Sequence, residues 1–198
     1  MFDYYVNTMV VRLLFIAFFL TLFSCKKADT AKNEADNELK GEYFSIIEFA
    51  QDQWIENRGQ PLGIVKKVYF NGTVDSTMTN AIEMDWASVF KVFFETDISD
   101  EKFLGQYDFS AFEEQSTTSK SFYYEAKNPK LYTRKLQIMA DYFSHKITSI
   151  YIEAQKTDRI GTKNIKLFYS PLETISIHEV ETSKTGDKKE LRVVYEFL

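Results

Sequence analysis

The sequence is poor in the residues that build most recognisable active sites. Its 198 residues include one cysteine, two histidines, three prolines and seven glycines. A single cysteine excludes an internal disulfide and a cysteine-rich zinc site, and His145 and His178 lie too far apart for a helical HExxH motif. There is no P-loop, dinucleotide fingerprint or GxSxG motif. We therefore predict no metal, no cofactor and no catalytic residue. Whether the protein is an enzyme stays open, with the balance toward a non-enzymatic role.

An excess of positive charge is also missing. The chain carries 24 basic and 29 acidic side chains, which gives a net charge of -5. Nucleic acids and anionic membrane faces bind proteins through concentrated positive charge, so we predict no nucleic-acid partner. Aromatic residues, by contrast, are abundant at 16%, with 18 Phe and 12 Tyr. They can supply a substantial hydrophobic core.

The first 24 residues read as a signal peptide. The run 13–23 is apolar except for one threonine, and Arg12 precedes it. A membrane-spanning helix needs about 20 apolar residues, whereas the hydrophobic region of a signal peptide needs about 7 to 15. The first eight residues, MFDYYVNT, are atypical of such a leader, so either Met1 or Met9 is the initiator.

The apolar run ends at Leu22-Phe23-Ser24-Cys25, which resembles the lipobox of bacterial lipoproteins. The resemblance implies that Cys25 becomes the first mature residue and carries a diacylglycerol on its sulfur and a further acyl chain, such as palmitate, on its amine. Two or more acyl chains anchor a protein stably to a membrane. Lys26 stands where an inner-membrane lipoprotein has aspartate, which implies the outer membrane, facing the periplasm or the cell surface. The alternatives are an ordinary cleaved signal peptide and a buried anchor, in either case with an incidental cysteine.

The segment after the cysteine reads as a flexible tether. Residues 26–42, KKADTAKNEADNELKGE, contain a single large apolar residue, Leu39. Such a segment buries too little apolar surface to order itself. We predict an acylated cysteine and tether over residues 25–42 and a single domain over residues 43–198.

The domain begins with a predicted helix and a predicted hairpin. The helix lies in FSIIEFAQDQWIENRG, where apolar residues recur at helical spacing: Phe44, Ile47, Ala50, Trp54 and Ile55. Gly59 and Pro61 end it. Two strand-like runs follow with Asn71-Gly72 between them. This dipeptide favours a two-residue type I′ turn, because both of its positions need positive φ.

A second helix is predicted in IEMDWASVFKVFFE. Its apolar face comprises Ile82, Trp86, Val89, Phe90 and Phe93. Asn80 is the predicted N-cap, with Glu83 three residues later as in a capping box.

The loop after the second helix is the densest acidic cluster. It contains Glu95, Asp97, Asp100 and Glu101, but it lacks the central glycine and terminal glutamate of a helix–loop–helix calcium site. We predict that Asp100 caps a short turn and that its neighbours are solvated.

From about Phe103 the apolar pattern changes to a period of two, with turn signals that divide it into about six strands. Short connections between consecutive strands imply antiparallel neighbours. The predicted fold class is α+β, with two amphipathic helices packed on a curved antiparallel meander sheet and an early β-hairpin.

Aromatic side chains are the remaining functional signal. Trp54, Trp86, Phe90 and Phe93 are candidate ligand-binding residues, although helical spacing favours a core role for them. As ligand-binding residues they would line a cavity between the helices and the sheet that holds an acyl chain or another lipophile.

Tyrosines on the other side of the sheet offer a different surface. Tyr123, Tyr132 and Tyr151 are candidates for a platform that binds sugars or a partner protein.

Together these patterns predict a membrane-tethered lipoprotein of the bacterial envelope with a non-enzymatic binding domain. The ligand is a protein, an envelope component or a lipophile, and membrane lipid is the partner of the acylated Cys25. The alternatives are a carboxylate-dependent hydrolase of envelope material and a structural subunit of an outer-membrane assembly that docks through a free sheet edge.

Overall fold

A computed structural model describes residues 43–114, 116 and 118–198, which fall in one compact unit. The predicted signal peptide (1–24) and the predicted anchor and tether (25–42, with Cys25) lie outside the described residues.

Both predicted helices are confirmed. Helix α1 spans Ile46–Asn57, helix α2 spans Trp86–Phe94, and a short 3-10 turn follows at Glu101–Phe103. Asp100 caps that turn by accepting a hydrogen bond from the Lys102 amide at 3.0 Å, as predicted.

The start of α2 differs from the prediction. Asp85, not Asn80, caps the helix, and its Oδ1 accepts from the Ser88 amide at 3.1 Å. Asn80 Oδ1 instead accepts from the amides of Ile82 and Glu83 in the preceding turn. Ile82 therefore lies ahead of the helix and is 63% exposed, so its predicted place on the buried face is wrong.

The N-terminus of α1 is held from two directions. Ser45 Oγ accepts from the Glu48 amide at 3.2 Å, and Asp97 Oδ1 accepts from the Ile46 amide at 2.6 Å. Amides in the first turn of a helix have no partner within the helix, so side chains that supply one stabilise it. Asp97 is thus a half-buried cap and not the solvated neighbour of Asp100 that the sequence predicts.

Nine antiparallel strands form one open sheet. They are β1 Gly63–Phe70, β2 Thr73–Asn80, β3 Tyr107–Glu114, β4 Ser119–Ala126, β5 Thr133–Asp141, β6 Ile147–Thr157, β7 Gly161–Ser170, β8 Thr174–Ser183 and β9 Lys188–Phe197. Their order is β2-β1-β9-β8-β7-β6-β5-β4-β3. Strands β3 to β9 are consecutive neighbours, which makes seven strands where about six are predicted, and the β1–β2 hairpin joins β9. The structure is mostly β with two helices.

The predicted hairpin is confirmed. Asn71 has φ 46° and Gly72 has φ 90°, and Phe70 pairs with Thr73 on either side of them. Positive φ at both central residues is the requirement of a type I′ turn, which asparagine and glycine meet at least steric cost.

The two faces of the sheet have different environments. On β6, Ile150, Ile152 and Ala154 are buried at 3% exposure or less, whereas Tyr151 and Glu153 between them are only half-buried. Successive side chains of a strand point to opposite faces, so the first three lie toward the helices. We call that side the helix face and the opposite side the outer face.

The core lies between the helices and the helix face. On α2, Trp86 stacks on Phe90 with ring centroids 5.6 Å apart, and Phe90 and Phe93 both contact the ring of Tyr169 from β7. All four side chains are buried at 3% exposure or less. Burying one large apolar side chain contributes about 1.5–3 kcal/mol, so this cluster is a main source of stability.

Candidate functional site on the outer face

A row of side chains crosses the outer face on four neighbouring strands. Tyr123 on β4 is paired with Gln137 on β5, Gln137 with Tyr151 on β6, and Tyr151 with Phe168 on β7. All four are half-buried. Strands in a sheet are about 4.8 Å apart, so the row extends over about 14 Å. We call these four residues the aromatic row.

Hydrogen bonds hold the polar tips of three side chains in the row. Gln137 Nε2 donates to the Tyr123 hydroxyl at 2.8 Å, and the Tyr151 hydroxyl donates to Glu153 Oε1 at 2.7 Å. Burial, followed by the Glu153 hydrogen bond, raises the pKa of Tyr151 to about 12. The Tyr151 hydroxyl is therefore neutral at physiological pH, and its ring is held in place.

A groove of about 340 Å³ lies along the aromatic row. It is lined by Asp108, Phe109, Ser110, Tyr123, Tyr124, Glu125, Lys135, Leu136, Gln137, Tyr151 and Glu153. Phe112 of β3 is 60% exposed and contacts Tyr123 edge to face, with ring centroids 5.6 Å apart. The groove thus combines aromatic rings with amide, hydroxyl and carboxylate groups.

The charges at the groove balance. Each of its three carboxylates lies near a lysine ammonium: Asp108 with Lys127 at 3.5 Å, Glu125 with Lys135 at 3.7 Å, and Glu153 with Lys166 at 3.9 Å. These are surface pairs and contribute little to stability. Their consequence is electrostatic, because the groove presents little net charge to a ligand.

The outer face continues as a charged surface beyond the groove. His178 Nε2 lies 2.8 Å from Glu190 Oε1, and this hydrogen bond is the main reason that the pKa of Glu190 is lowered. His145 occupies a turn, with φ 57°. Across residues 43–198, apart from positions 115 and 117, no group of three or more His, Cys, Asp or Glu side chains is placed to hold a metal ion.

Several carboxylates have lowered pKa values, and hydrogen bonds are the main cause. They are Asp85, Asp100, Asp141, Asp158 and Asp187, all at turns or helix ends. A lowered pKa keeps a carboxyl group ionised, whereas a general acid needs a raised one. These carboxyl groups are therefore ionised at neutral pH and accept hydrogen bonds at turns and helix ends.

The aromatic residues singled out in the helices lie elsewhere. Trp86, Phe90 and Phe93 are buried in the core, and Trp54 is half-buried and packs against it. None of the four lines the outer-face groove. Their role as ligand-binding residues stays a prediction, and the structure adds that the three from α2 fill the space between helix and sheet.

Two of the three tyrosines that the sequence suggests for the outer face belong to the aromatic row. Tyr123 and Tyr151 belong to the aromatic row, whereas Tyr132 packs against the core cluster. Sequence reasoning missed Gln137 and Phe168. Strand alternation indicates a residue's face, but only the cross-strand register brings these residues together.

A second groove, of about 440 Å³, runs between α2 and the helix face. Its apolar residues are Met84, Val89, Ile177, Val193 and Tyr195, and its polar rim is formed by Lys66, Thr77, Thr79, Glu83, Asp85 and Ser88. Lys66 Nζ lies 5.6 Å from the centre of the Tyr195 ring. We call it the α2 groove, and Trp86 is not among the residues that line it.

A third opening, of about 470 Å³, lies at the ends of β6 to β9 away from the helices. Both lysine and acidic side chains line it, among them Lys156, Lys163, Asp158 and Glu181. Lys163 Nζ is already paired with Glu179 at 2.7 Å. We assign no ligand to this opening.

Neither α1 nor α2, the helices of the described region, is long and apolar enough to cross a membrane. Comparison of the chain with protein-family models, with curated proteins and with solved structures gives no match.

Proposed function

We propose that this protein is a lipid-anchored binding protein of the bacterial envelope and that its outer-face groove binds a neutral saccharide. One observation carries the proposal: the aromatic row lies on a sheet face that the two helices leave free, beside hydrogen-bonding groups whose charges balance. The proposed role is binding without catalysis.

The anchor is argued from the sequence. Leu22-Phe23-Ser24-Cys25 follows an apolar run of signal-peptide length, and Cys25 is the only cysteine of the chain. Acyl chains on Cys25 would hold the domain at the membrane stably if at least two are present. Lys26 favours the outer membrane, with the domain facing the periplasm or the cell surface.

A saccharide fits the chemistry of the groove. A sugar ring has an apolar face that packs on an aromatic ring and a rim of hydroxyl groups that donate and accept hydrogen bonds. Tyrosine supplies an apolar ring with a polar tip, and a few convergent polar groups orient the ligand. Gln137 and Glu153 are such groups, and the paired lysines leave no excess charge to select an ion.

Curvature of the sheet is part of the proposal. The β5–β6 ladder shifts register twice, between Thr133 and Lys135 and between Met139 and Ala140. Such irregularities bend a strand and increase its twist. Both lie within β5, one on each side of Gln137, so a bend there would shape the groove around the row.

The proposal is tested by isothermal titration of the full chain in detergent with neutral hexose and N-acetylhexosamine oligosaccharides. Tyr151→Ala removes the central ring of the row, and we expect affinity to fall at least about tenfold, or 1.4 kcal/mol. Tyr69→Ala is the matched control, because Tyr69 is exposed on the outer face of β1, far from the groove.

Two outcomes contradict the saccharide proposal. One is that no neutral oligosaccharide binds at millimolar concentration. The other is that Tyr69→Ala and Tyr151→Ala weaken binding equally, which would move the site away from the row. Tyr123→Phe keeps the ring and removes the hydroxyl that accepts from Gln137, so it separates the contribution of the ring from that of the hydrogen bond.

The α2 groove supports a second candidate function, the binding of an acyl chain. Its floor of Ile177, Val193 and Val89 is apolar and opens beside α2. Native mass spectrometry of the full chain would then show a non-covalent lipid that leaves on collisional activation. Absence of that lipid, with the saccharide titration positive, rejects this candidate.

A further inference from the structure

The hairpin strand β2 forms one edge of the sheet. It comes first in the strand order and pairs with β1 over eight residues without a register shift. Residues 73–78 are all exposed. The Ser76 amide donates to its neighbour Asp75 at Oδ1, 2.8 Å away, so it does not pair with β1. Alternate residues of this strand therefore direct their backbone groups outward, toward an absent neighbour.

The two edge strands of the sheet differ in how well they are protected from pairing with another strand. An exposed edge pairs readily with another strand unless charges, proline or a bulge prevent it. Strand β3, the opposite edge, carries the exposed acids Asp108 and Glu113. Strand β2, TVDSTMTN, contains one charged residue, Asp75, and neither lysine nor proline. Pairing with a second copy of the chain is therefore disfavoured at β3 and is not prevented at β2.

The side chains of β2 are complementary to themselves. On its outer-face side, Val74 is 62% exposed and Met78 is 71% exposed, with Ser76 midway between them. If two copies pair antiparallel about a two-fold axis at Ser76, Val74 lies opposite Met78 of the second copy. Asp75 then lies opposite Thr77 and not opposite another acid. The Ser76–Ser76 and Val74–Met78 pairs join residues whose backbone groups point outward, so they would be the hydrogen-bonded pairs of the new ladder, and the Asp75–Thr77 pair between them would be a non-hydrogen-bonded pair.

The neighbouring strand extends this match. Tyr69 of β1 is paired with Val74, and Val65 of β1 with Met78. Each half of the pairing would therefore form one apolar row across four strands: Tyr69 and Val74 of one copy, then Met78 and Val65 of the other. Cross-strand apolar pairs of this kind stabilise a sheet.

We propose that β2 pairs antiparallel with β2 of a second copy of this chain about a two-fold axis at Ser76, joining two nine-stranded sheets edge to edge. A two-fold interface uses the same patch on both copies and closes at two. The acids of β3 stop further growth at the outer edges. The inference is independent of the saccharide site and of the lipid anchor.

The test is native mass spectrometry and sedimentation of the full chain in detergent, with charges placed at the axis. Ser76→Lys and Ser76→Glu each put like charges directly opposite across the two-fold, which destabilises a strand pair. We expect the wild type to dimerise and each variant to dissociate with a dissociation constant at least about tenfold weaker. Mixing the two variants should restore dimers that contain one copy of each.

The matched control is Ala111→Lys on β3, an exposed residue of the other edge strand that does not line the outer-face groove, and this variant should dimerise like the wild type. Substitutions at exposed edge positions change the stability of the fold little, and thermal unfolding of each variant checks this. The proposal is overturned if the wild type is monomeric at every concentration reached, or if Ser76→Lys dimerises as tightly as the wild type. It is also overturned if the mixture forms no heterodimer, because the axis then lies elsewhere.

Discussion

Buried tyrosine hydroxyl groups in this protein have specific partners. The Tyr107 hydroxyl donates to the Thr133 carbonyl at 3.0 Å, and the Tyr169 hydroxyl donates to Gln53 Oε1 at 2.8 Å. Tyr107 is 3% exposed and Tyr169 is 1% exposed. Burial, followed by the nearby Tyr43, raises the pKa of Tyr107 to about 12, and burial also raises the pKa of Tyr169. Ionisation of these hydroxyl groups is therefore coupled to unfolding.

We expect the protein to lose stability between about pH 10 and pH 12. In the unfolded chain Tyr107 ionises near pH 10, whereas in the folded chain its pKa is about 12. The unfolded state thus binds fewer protons in this window, so the free energy of unfolding falls as pH rises. The contribution of Tyr107 is about 2 kcal/mol. Urea unfolding from pH 8 to pH 12 measures it.

Tyr107→Phe is the control for this prediction. It removes the ionising group and leaves the ring, so its free energy of unfolding should decline less steeply above pH 10 than that of the wild type. Equal slopes for the two proteins would show that Tyr107 does not couple ionisation to unfolding.

At the scale of the element, the loop after α2 stabilises the start of α1. Asp97 lies 51 positions after Ile46, yet its Oδ1 accepts from the Ile46 amide at 2.6 Å and from the Ile47 amide at 3.3 Å. A carboxylate at a helix N-terminus also interacts favourably with the helix dipole. The two helices are therefore linked through one side chain.

Replacing that side chain tests the link. We expect Asp97→Ala to lower the free energy of unfolding by about 1–2 kcal/mol, because two first-turn amides lose their acceptor. Chemical denaturation monitored by circular dichroism measures the loss. Asp100→Ala, which affects only the short turn at Glu101–Phe103, should cost less. A larger loss for Asp100→Ala would contradict the assigned role of Asp97.

Local patterns predicted the elements of this fold, and long-range contacts account for the errors. Asn71-Gly72 predicts the turn because the two positive φ angles that a type I′ turn requires fall on these two adjacent residues. The sequence predicts the N-cap of α2 at Asn80, whereas the structure has it at Asp85. Asparagine and aspartate are both favourable N-cap residues, so residue type alone does not distinguish the two positions. The Asp97 cap joins distant segments, so spacing alone does not reveal it.

The candidate site was predictable only in part. The period of two assigns Tyr151 and Glu153 to the same face of one strand. The aromatic row, however, depends on the register of four strands, and β5 and β6 shift register twice. A shift by one residue would put a strand's side chains on the other face, so the row cannot be derived from each strand alone.

At the scale of the whole molecule, the proposal separates a membrane anchor from a binding domain. The proposed anchor depends on Cys25 and on the lipobox-like residues before it, and the domain depends on the sheet of residues 63–197. Each part is therefore tested by its own variants.

We expect Cys25→Ser to abolish labelling with radioactive palmitate and to release the protein from the washed envelope fraction. The physical reason is that stable anchoring needs acyl chains, and serine offers no sulfur to acylate. Lys26→Asp is the companion variant, which should stay acylated and move to the inner-membrane fraction. Unchanged palmitate labelling and envelope retention in Cys25→Ser would refute the anchor.

The position of β9 has a consequence for how the chain folds. Strand β9 lies between the early hairpin and β8, and Lys67 meets Glu196 at 2.7 Å although 129 positions separate them. The hairpin therefore has no neighbour in the sheet until β9 has been synthesised. Joining strands that lie so far apart in the sequence costs loop-closure entropy, so we expect the β1–β9 pairing to form after the pairings between consecutive strands. Until then the unprotected edge of β2 and the unpaired edge of β1 are both exposed, so this interval is when the chain is most vulnerable to aggregation.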